Sequence, residues 1–406
     1  MFLKKILVLF SFFFIIYIAF LLIKFKTSLP STDSVSNSEI DQSTDAINDN
    51  NDTEDSIDDQ IKNEMLLISD SYKNLYVSLS KNETLNLSSE TKENILNKIA
   101  ETGFSVITKD KNMRNPNNIR NFNSNIKKGI NCNVTIYELS NNILVRYFFE
   151  FSANHLTVTI TPAHWDNSNK LEIEYTDKWD IDRFKFTNNG YFLYHISYPI
   201  SLGGGEDSYG FRIEPLPDEN RLFCDKYIKS IGYIGNNIFT ESWTSKTLNK
   251  LNFNDMFEYI YKLDTGKEPP YSEPYKNEKI VLGGQPIVIS IPQDDFENII
   301  TKYFPITPKQ LRSTAVYNSD KKCYPWLMFF SPQFSQTPEV IDVKHNSDKS
   351  ITLTVNAVDI EHYSDCDFKN VVTIMNYDNN NFKYLSNSIT KLVQDNFPEY
   401  VQRITK

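Results

Sequence analysis

Cysteine and glycine are both scarce in this chain, 4 and 12 among 406 residues, and each scarcity removes a class of function. Cys132, Cys224, Cys323 and Cys366 are scattered with no CxxC pair, which speaks against a zinc framework and implies no cofactor. The single glycine run, Gly203-Gly204-Gly205, has no Gly-Lys-Ser/Thr after it and reads as a loop rather than a phosphate cradle. Ser201 and Ser208 beside it lack the Gly-x-Ser-x-Gly spacing of a nucleophile elbow, and no other hydrolase signature is visible. An excess of positive charge is missing too. The 42 Lys and Arg against 52 Asp and Glu leave a net charge of -10 with no basic stripe, which argues against nucleic acid as a partner.

What is present begins at the amino terminus. Between Lys4-Lys5 and Lys24 the run Ile6–Ile23 carries no charge. As a helix it spans roughly 27 Å, close to the hydrocarbon core of a bilayer. It is longer than the apolar part of a cleaved leader and is followed by no small-residue cleavage site, so an uncleaved single-pass anchor over 1–26 is expected, with residues 27–406 outside the cytoplasm. Lys24 and Lys26 nearly balance Lys4 and Lys5, so the positive-inside rule alone does not fix the orientation. From Lys26 to Lys62 there is no Lys or Arg and no aromatic residue, while Asp and Glu abound. Such a segment cannot bury enough apolar surface to order itself, and residues 27–60 are expected to form an acidic tether.

Beyond the tether the chain reads as α+β, in two domains. Ile61, Met65, Ile68, Tyr72, Leu75 and Leu79 recur at helical spacing, and a second helix begins at Ser88 or Ser89 and is stopped by Gly103. Alternation from Ile143 to Phe151, from Leu156 to Ile160, from Leu171 to Tyr175 and over Tyr191 to Tyr198 predicts an antiparallel meander. Helices are expected near 218–229 and 253–263. Pro269, Pro270 and Pro274 then place a linker at 266–279, dividing a domain 61–265 from a domain 280–406. In the second, a helix over 294–304 precedes strands at 351–359, 371–377 and 382–388 and a short terminal helix, an arrangement of the kind seen in cystatin-like modules.

Four groups of residues are candidates for chemistry. Asp359, Glu361, His362, Asp365 and Asp367 form an oxygen-rich cluster around Cys366, but their spacing matches no calcium loop and they sit where a solvated hairpin belongs. His155, His164, Asp166 and His195, with Glu206 and Asp207, offer an acid/base set only if the fold brings them together. Trp165 and Trp179 lie beside strand ends among polar neighbours and are the candidates for a ligand platform. If disulfides form, Cys132 is expected to pair with Cys224 and Cys323 with Cys366; the alternative is buried thiols.

Phe211-Arg-Ile-Glu-Pro-Leu-Pro, Lys226-Tyr-Ile, Ile231-Gly-Tyr, Asn236-Asn-Ile-Phe, Phe296-Glu-Asn-Ile-Ile-Thr-Lys-Tyr-Phe, Ile351-Thr-Leu-Thr-Val-Asn-Ala-Val and Tyr384-Leu-Ser-Asn together resemble an uncharacterised family of extracytoplasmic proteins from anaerobic Gram-positive bacteria. The resemblance covers Ile61 to Ile389, is structural in character and carries no catalytic residue. It implies a location in the cell envelope, where many members are lipid-anchored; this chain has no cysteine before Cys132 and would rely on its helix. Two functions follow as expectations. One is a non-catalytic module binding a wall component, a peptide or an envelope protein; the other is a wall-associated hydrolase using an unrecognised pair among Asp166, His164, His195, Glu206 and Asp207.

Overall fold

The computed structural model describes residues 51–73, 88–108, 111–140, 143–165, 171–198, 205–271, 288–327, 336–377, 381–393 and 396–405. The run Ile6–Ile23 lies outside them, and no described helix is long and apolar enough to cross a membrane. The chain divides into two compact units between Asp180 and Ile181.

In the first unit two helices, α1 (Asn51–Asp70) and α2 (Ser89–Ala100), lay apolar stripes on a sheet. Met65, Ile68 and Tyr72 meet Leu96, Ile99 and Tyr137 in one core. The α2 amino terminus is where the sequence places it, with the Ser88 side chain accepting the Thr91 N–H at 3.1 Å. The first helix differs. It begins at Asn51, inside the expected tether, and ends at Asp70. Polarity forbids a private hydrophobic core but not a helix, and carboxylates are favoured near a helix amino terminus.

Strand β1 (Ser105–Ile107) runs parallel to β2 (Cys132–Ser140). Then β3 (Ile143–Ser152) and β4 (His155–Trp165) continue as antiparallel neighbours, with the short β5 (Leu171–Ile173) on β4. Ala153 and Asn154, both at positive φ (50° and 62°), make the two-residue turn whose twist suits a hairpin. Between β1 and β2 lies α3 (Asn117–Lys127), a helix the sequence reading omitted, burying Ile119 and Phe122. The simple alternation read along β3 also needs correction, because Leu144 and Arg146 are buried. Arg146 Nε donates to Glu64 on α1 at 2.9 Å and Tyr137 Oη donates to the same carboxylate, so the buried cation is paired.

The division falls inside β6 (Asp177–Phe186); from Ile181 on, the second unit continues into β7 (Tyr191–Tyr198) and β8 (Gly205–Arg212), each strand antiparallel to the next. There follow α4 (Asp218–Tyr227), β9 (Trp243–Thr244), α5 (Phe253–Thr265), β10 (Val288–Pro292), α6 (Gln293–Tyr303), α7 (Pro308–Thr314) and β11 (Cys323–Leu327). Last come β12 (Thr337–His345), β13 (Ser350–Asp359), β14 (Ser364–Asn376) and β15 (Phe382–Lys391), an antiparallel meander that β9 extends beside β15.

One core joins residues on both sides of 266–279: Phe253 and Phe257 pack with Phe296, Trp326, Phe368 and Tyr384. Phe257 stacks on Phe296 at 5.1 Å between centroids, and Phe296 on Tyr324 at 4.0 Å. The proline-containing stretch therefore does not separate two cores, and the domain edges expected at 265 and 280 are replaced by the division inside β6. Proline interrupts local backbone hydrogen bonding, whereas a domain edge requires that few tertiary contacts cross it. On its other face the five-stranded sheet meets β7, through Tyr191, Leu193 and Val358. The expected terminal helix is absent from the described residues. Residues 396–405 instead run as an irregular segment held by side-chain bonds.

Candidate functional site

The residues singled out in the sequence fall in several places. Trp165 ends β4, but its side chain, like Asp166, Gly203 and Gly204, lies outside the described residues. Trp179, on β6, is half-buried and engaged with a neighbour. Gly205 and Glu206 pair with Tyr198 and Ser197 along β8, so the glycine run leads into a strand rather than a helix. The Glu206 side chain is outside the described residues.

His155 faces Asp180 at 2.8 Å and His164 lies 3.2 Å from Glu174. His195 is buried, with Nδ1 at 2.8 and 3.0 Å from the two Asp182 oxygens. Ser197 Oγ donates to that same carboxylate at 2.9 Å. The hydroxyl thus bonds the carboxylate rather than the imidazole, which is the wrong order for activating a serine. Burial pushes Asp182 up, but the bonds from His195 and Ser197 outweigh it and hold the carboxyl below its ordinary value. Asp207 receives a long 3.4 Å bond from Tyr209, whose own oxygen lies 2.6 Å from that of Tyr198.

The acidic cluster is a structural latch. Gln336 Nε2 lies 3.1 Å from Asp359 Oδ2, 3.0 Å from Asp367 Oδ2 and 2.6 Å from the Asn396 carbonyl. His362 Nδ1 lies 2.8 Å from Asp359, and that hydrogen bond raises its pKa against a smaller opposing effect of burial. Among the described residues no group of three or more His, Cys, Asp and Glu could hold a metal ion.

The expected disulfides are not made; all four cysteines are free. Cys132, Cys224 and Cys366 each point the thiol at a main-chain oxygen: Phe122 at 3.9 Å, Pro338 at 3.2 Å and Phe368 at 3.4 Å. A buried thiol already bonded to the backbone of its own strand pair or helix partner behaves as a small core residue.

The place where polar side chains converge on open space was not marked by the sequence reading. A cleft of about 400 Å³ opens at the amino terminus of α5, between the Leu248–Lys250 turn, residues 314–316 and the carboxy-terminal segment. Asparagines build it. Asn252 caps α5, accepting the Asp255 N–H at 3.2 Å. Asn237 accepts the Asn252 N–H at 3.0 Å and donates to the Lys250 carbonyl at 2.9 Å. Asn254 donates to the Val316 and Pro325 carbonyls at 3.0 and 2.8 Å.

The outer wall is pinned by a buried pair. Arg403 donates to the carbonyls of Leu327 (2.9 Å), Gly235 (2.8 Å) and Asp255 (2.7 Å), with Nε 3.6 Å from the Asp255 carboxylate. Tyr400 Oη donates to Asp255 at 2.5 Å, and burial, reinforced by that carboxylate, pushes its pKa far up. Tyr400 and Asn237 also line a second opening of about 430 Å³, flanked by Thr240, Glu241, Phe397 and Glu399. The lysines at the two openings are occupied: Lys250 bonds Glu241 at 3.0 Å, and Lys391 lies 3.8 Å above the Phe397 ring. The second opening adds the exposed Glu399 carboxylate, whereas on the walls of the α5 cleft what remains beside the paired Lys250 is mostly amide and hydroxyl, including exposed Asn249 and Thr405. Such a surface donates and accepts hydrogen bonds without charge and is suited to holding a neutral polar ligand. The signal missed in the sequence is the asparagine density from Asn236 to Asn254, which resembles loop composition unless the fold is known.

No curated protein and no solved structure matches this chain. The sequence from 57 to 403 does match the model of a family described as "Family of unknown function (DUF6070)". Both compact units contribute to that match, and all the residues lining the asparagine-built cleft except Thr405 fall within it. By a match that spans most of its length, the chain belongs to the family of unknown function DUF6070.

Proposed function

We propose that this protein is a non-catalytic binding module of the cell envelope, held at the membrane by Ile6–Ile23, whose cleft beside α5 takes a neutral, hydroxyl- and amide-rich ligand such as a wall glycan. The observation that carries this reading is the cleft itself, where asparagine side chains, Tyr400 and the carboxy-terminal segment meet around open space with their charges already paired. The acidic stretch before Asn51 supports a position away from an anionic surface, which would repel it. This reading assigns the ligand to the cleft in preference to Trp165 and Trp179.

Calorimetric titration of the full-length protein with soluble wall glycan-peptide fragments tests it. Binding is expected, with Asn249→Ala and Thr405→Ala each weakening it by about 2- to 10-fold, the range for one neutral hydrogen bond. Both side chains are exposed, so the melting temperature stays unchanged. Losses in Trp165→Ala and Trp179→Ala alone would move the ligand to the first unit. Release of shortened fragments, detected by mass spectrometry, would replace this reading with the hydrolase alternative.

A further inference from the structure

The face of the five-stranded sheet that meets β7 carries a polar seam unrelated to the cleft. Glu339 on β12 stands directly opposite Asn356 on β13, and Asn356 stands opposite Lys369 on β14, so the three share one face. The Glu339 carboxylate accepts from Arg212 Nη1 at 2.6 Å and from Tyr191 Oη at 3.0 Å, which ties β12 to β7 and β8. Burial pushes Glu339 up, and Arg212 opposes the shift.

Asn356 is 0% exposed, yet neither its Nδ2 nor its Oδ1 has a hydrogen-bond partner among the described residues, and the same holds for Arg212 Nε. Buried amide groups are almost always bonded, so three such atoms around one carboxylate require an occupant. The register limits where that occupant sits, because directly opposed side chains on neighbouring strands have Cβ atoms about 4.5–5.5 Å apart.

The chemistry limits what it is. Asn356 Nδ2 and Arg212 Nε need an acceptor, while Asn356 Oδ1 needs a donor. A cation is opposed by the Arg212 guanidinium and an anion by the Glu339 carboxylate. An apolar group satisfies neither amide atom. Water donates and accepts and adds no charge.

We propose that this seam is an internal hydration site, in which one ordered water or a short chain of them is hydrogen-bonded by Asn356 and Arg212 Nε beside Glu339 and joins the two β layers. The site is independent of the cleft and of its ligand.

A crystal structure of the protein at a resolution that shows ordered water gives the first test. Density within hydrogen-bonding distance of both Asn356 amide atoms supports the site; apolar side chains packed directly on that amide, or a bound ion, overturn it. Asn356→Leu, close in volume, gives the second. If the amide anchors water, the leucine strands it and the melting temperature falls by about 3–6 °C. If the amide sits dry, leucine removes two unpaired groups, and an unchanged or raised melting temperature overturns the proposal. Should the variant not fold, the wild-type density decides alone.

Discussion

Arg403 illustrates how much a single buried cation can organise. Its three carbonyl bonds and its pairing with Asp255, which is fully buried, hold the carboxy-terminal segment against the amino terminus of α5. Removing the guanidinium leaves a buried carboxylate with a poorer set of partners, so Arg403→Ala is expected to cost about 3–5 kcal/mol, measured as a lowered urea midpoint. His362 gives a pH dependence of known sign. Its folded pKa is raised by Asp359, so the stability it contributes is fully present below the ordinary imidazole value of 6.5 and is lost as pH rises through the raised value. The melting temperature of wild type should therefore exceed that of His362→Gln at pH 6, with the gap closing by pH 9. Equal gaps at both pH values would contradict that pairing. Both residues show what sequence can and cannot convey. Asp359, His362 and Asp367 attracted attention because they are close along the chain, whereas the partners of Arg403 at Gly235, Asp255 and Leu327 are far away in sequence, and no local pattern announces them.

At the scale of elements, periodicity carried most of the information. The α2 cap at Ser88, the Phe253 start of α5, and β13 and β15 to within a residue or a few at their ends were legible because apolar spacing and capping residues coincide there. Helix α3 was not, because asparagine dominates it and Ile119 and Phe122 mark only a narrow stripe. The first turn of α5 supplies a prediction: Asn252→Ala removes the acceptor for the Asp255 N–H and the Nδ2 donor to the Asp255 carboxylate at 3.2 Å, and should cost about 1–2 kcal/mol. The β6–β7 turn supplies another. Gly190 sits at φ 89°, and a Cβ there would lie 2.5 Å from Glu214 Cβ. Gly190→Ala should accordingly lower the melting temperature by several degrees, while Gly266→Ala, with φ 67° but open space around it, should lower it less. A reversal of that order in a thermal melt would show that crowding at Glu214 is relieved more easily than a left-handed backbone.

For the molecule as a whole, thiol chemistry reports on integrity. Cys224 and Cys366 are buried with pKa values pushed up to about 11, and Cys323 is buried as well, while Cys132 is only half-buried. A colorimetric thiol reagent should therefore titrate one cysteine readily in the native protein and all four after denaturation; rapid reaction of a second would show that the fold opens around it. The sequence located helices and strands but placed the main division at 266–279, because a composition shift is visible along the chain and a shared core is not. The strand β9 carries a consequence of that sharing. It contributes only Trp243 and Thr244, and they pair with Asn387 and Ser386 at the far end of the chain. A ribosome adding about 5–20 residues per second makes the later partner roughly 7 to 30 s after the earlier one. Throughout that interval Trp243 lacks its β15 neighbour, so the core it shares with Tyr384 stays open on one side in the nascent chain until that strand arrives.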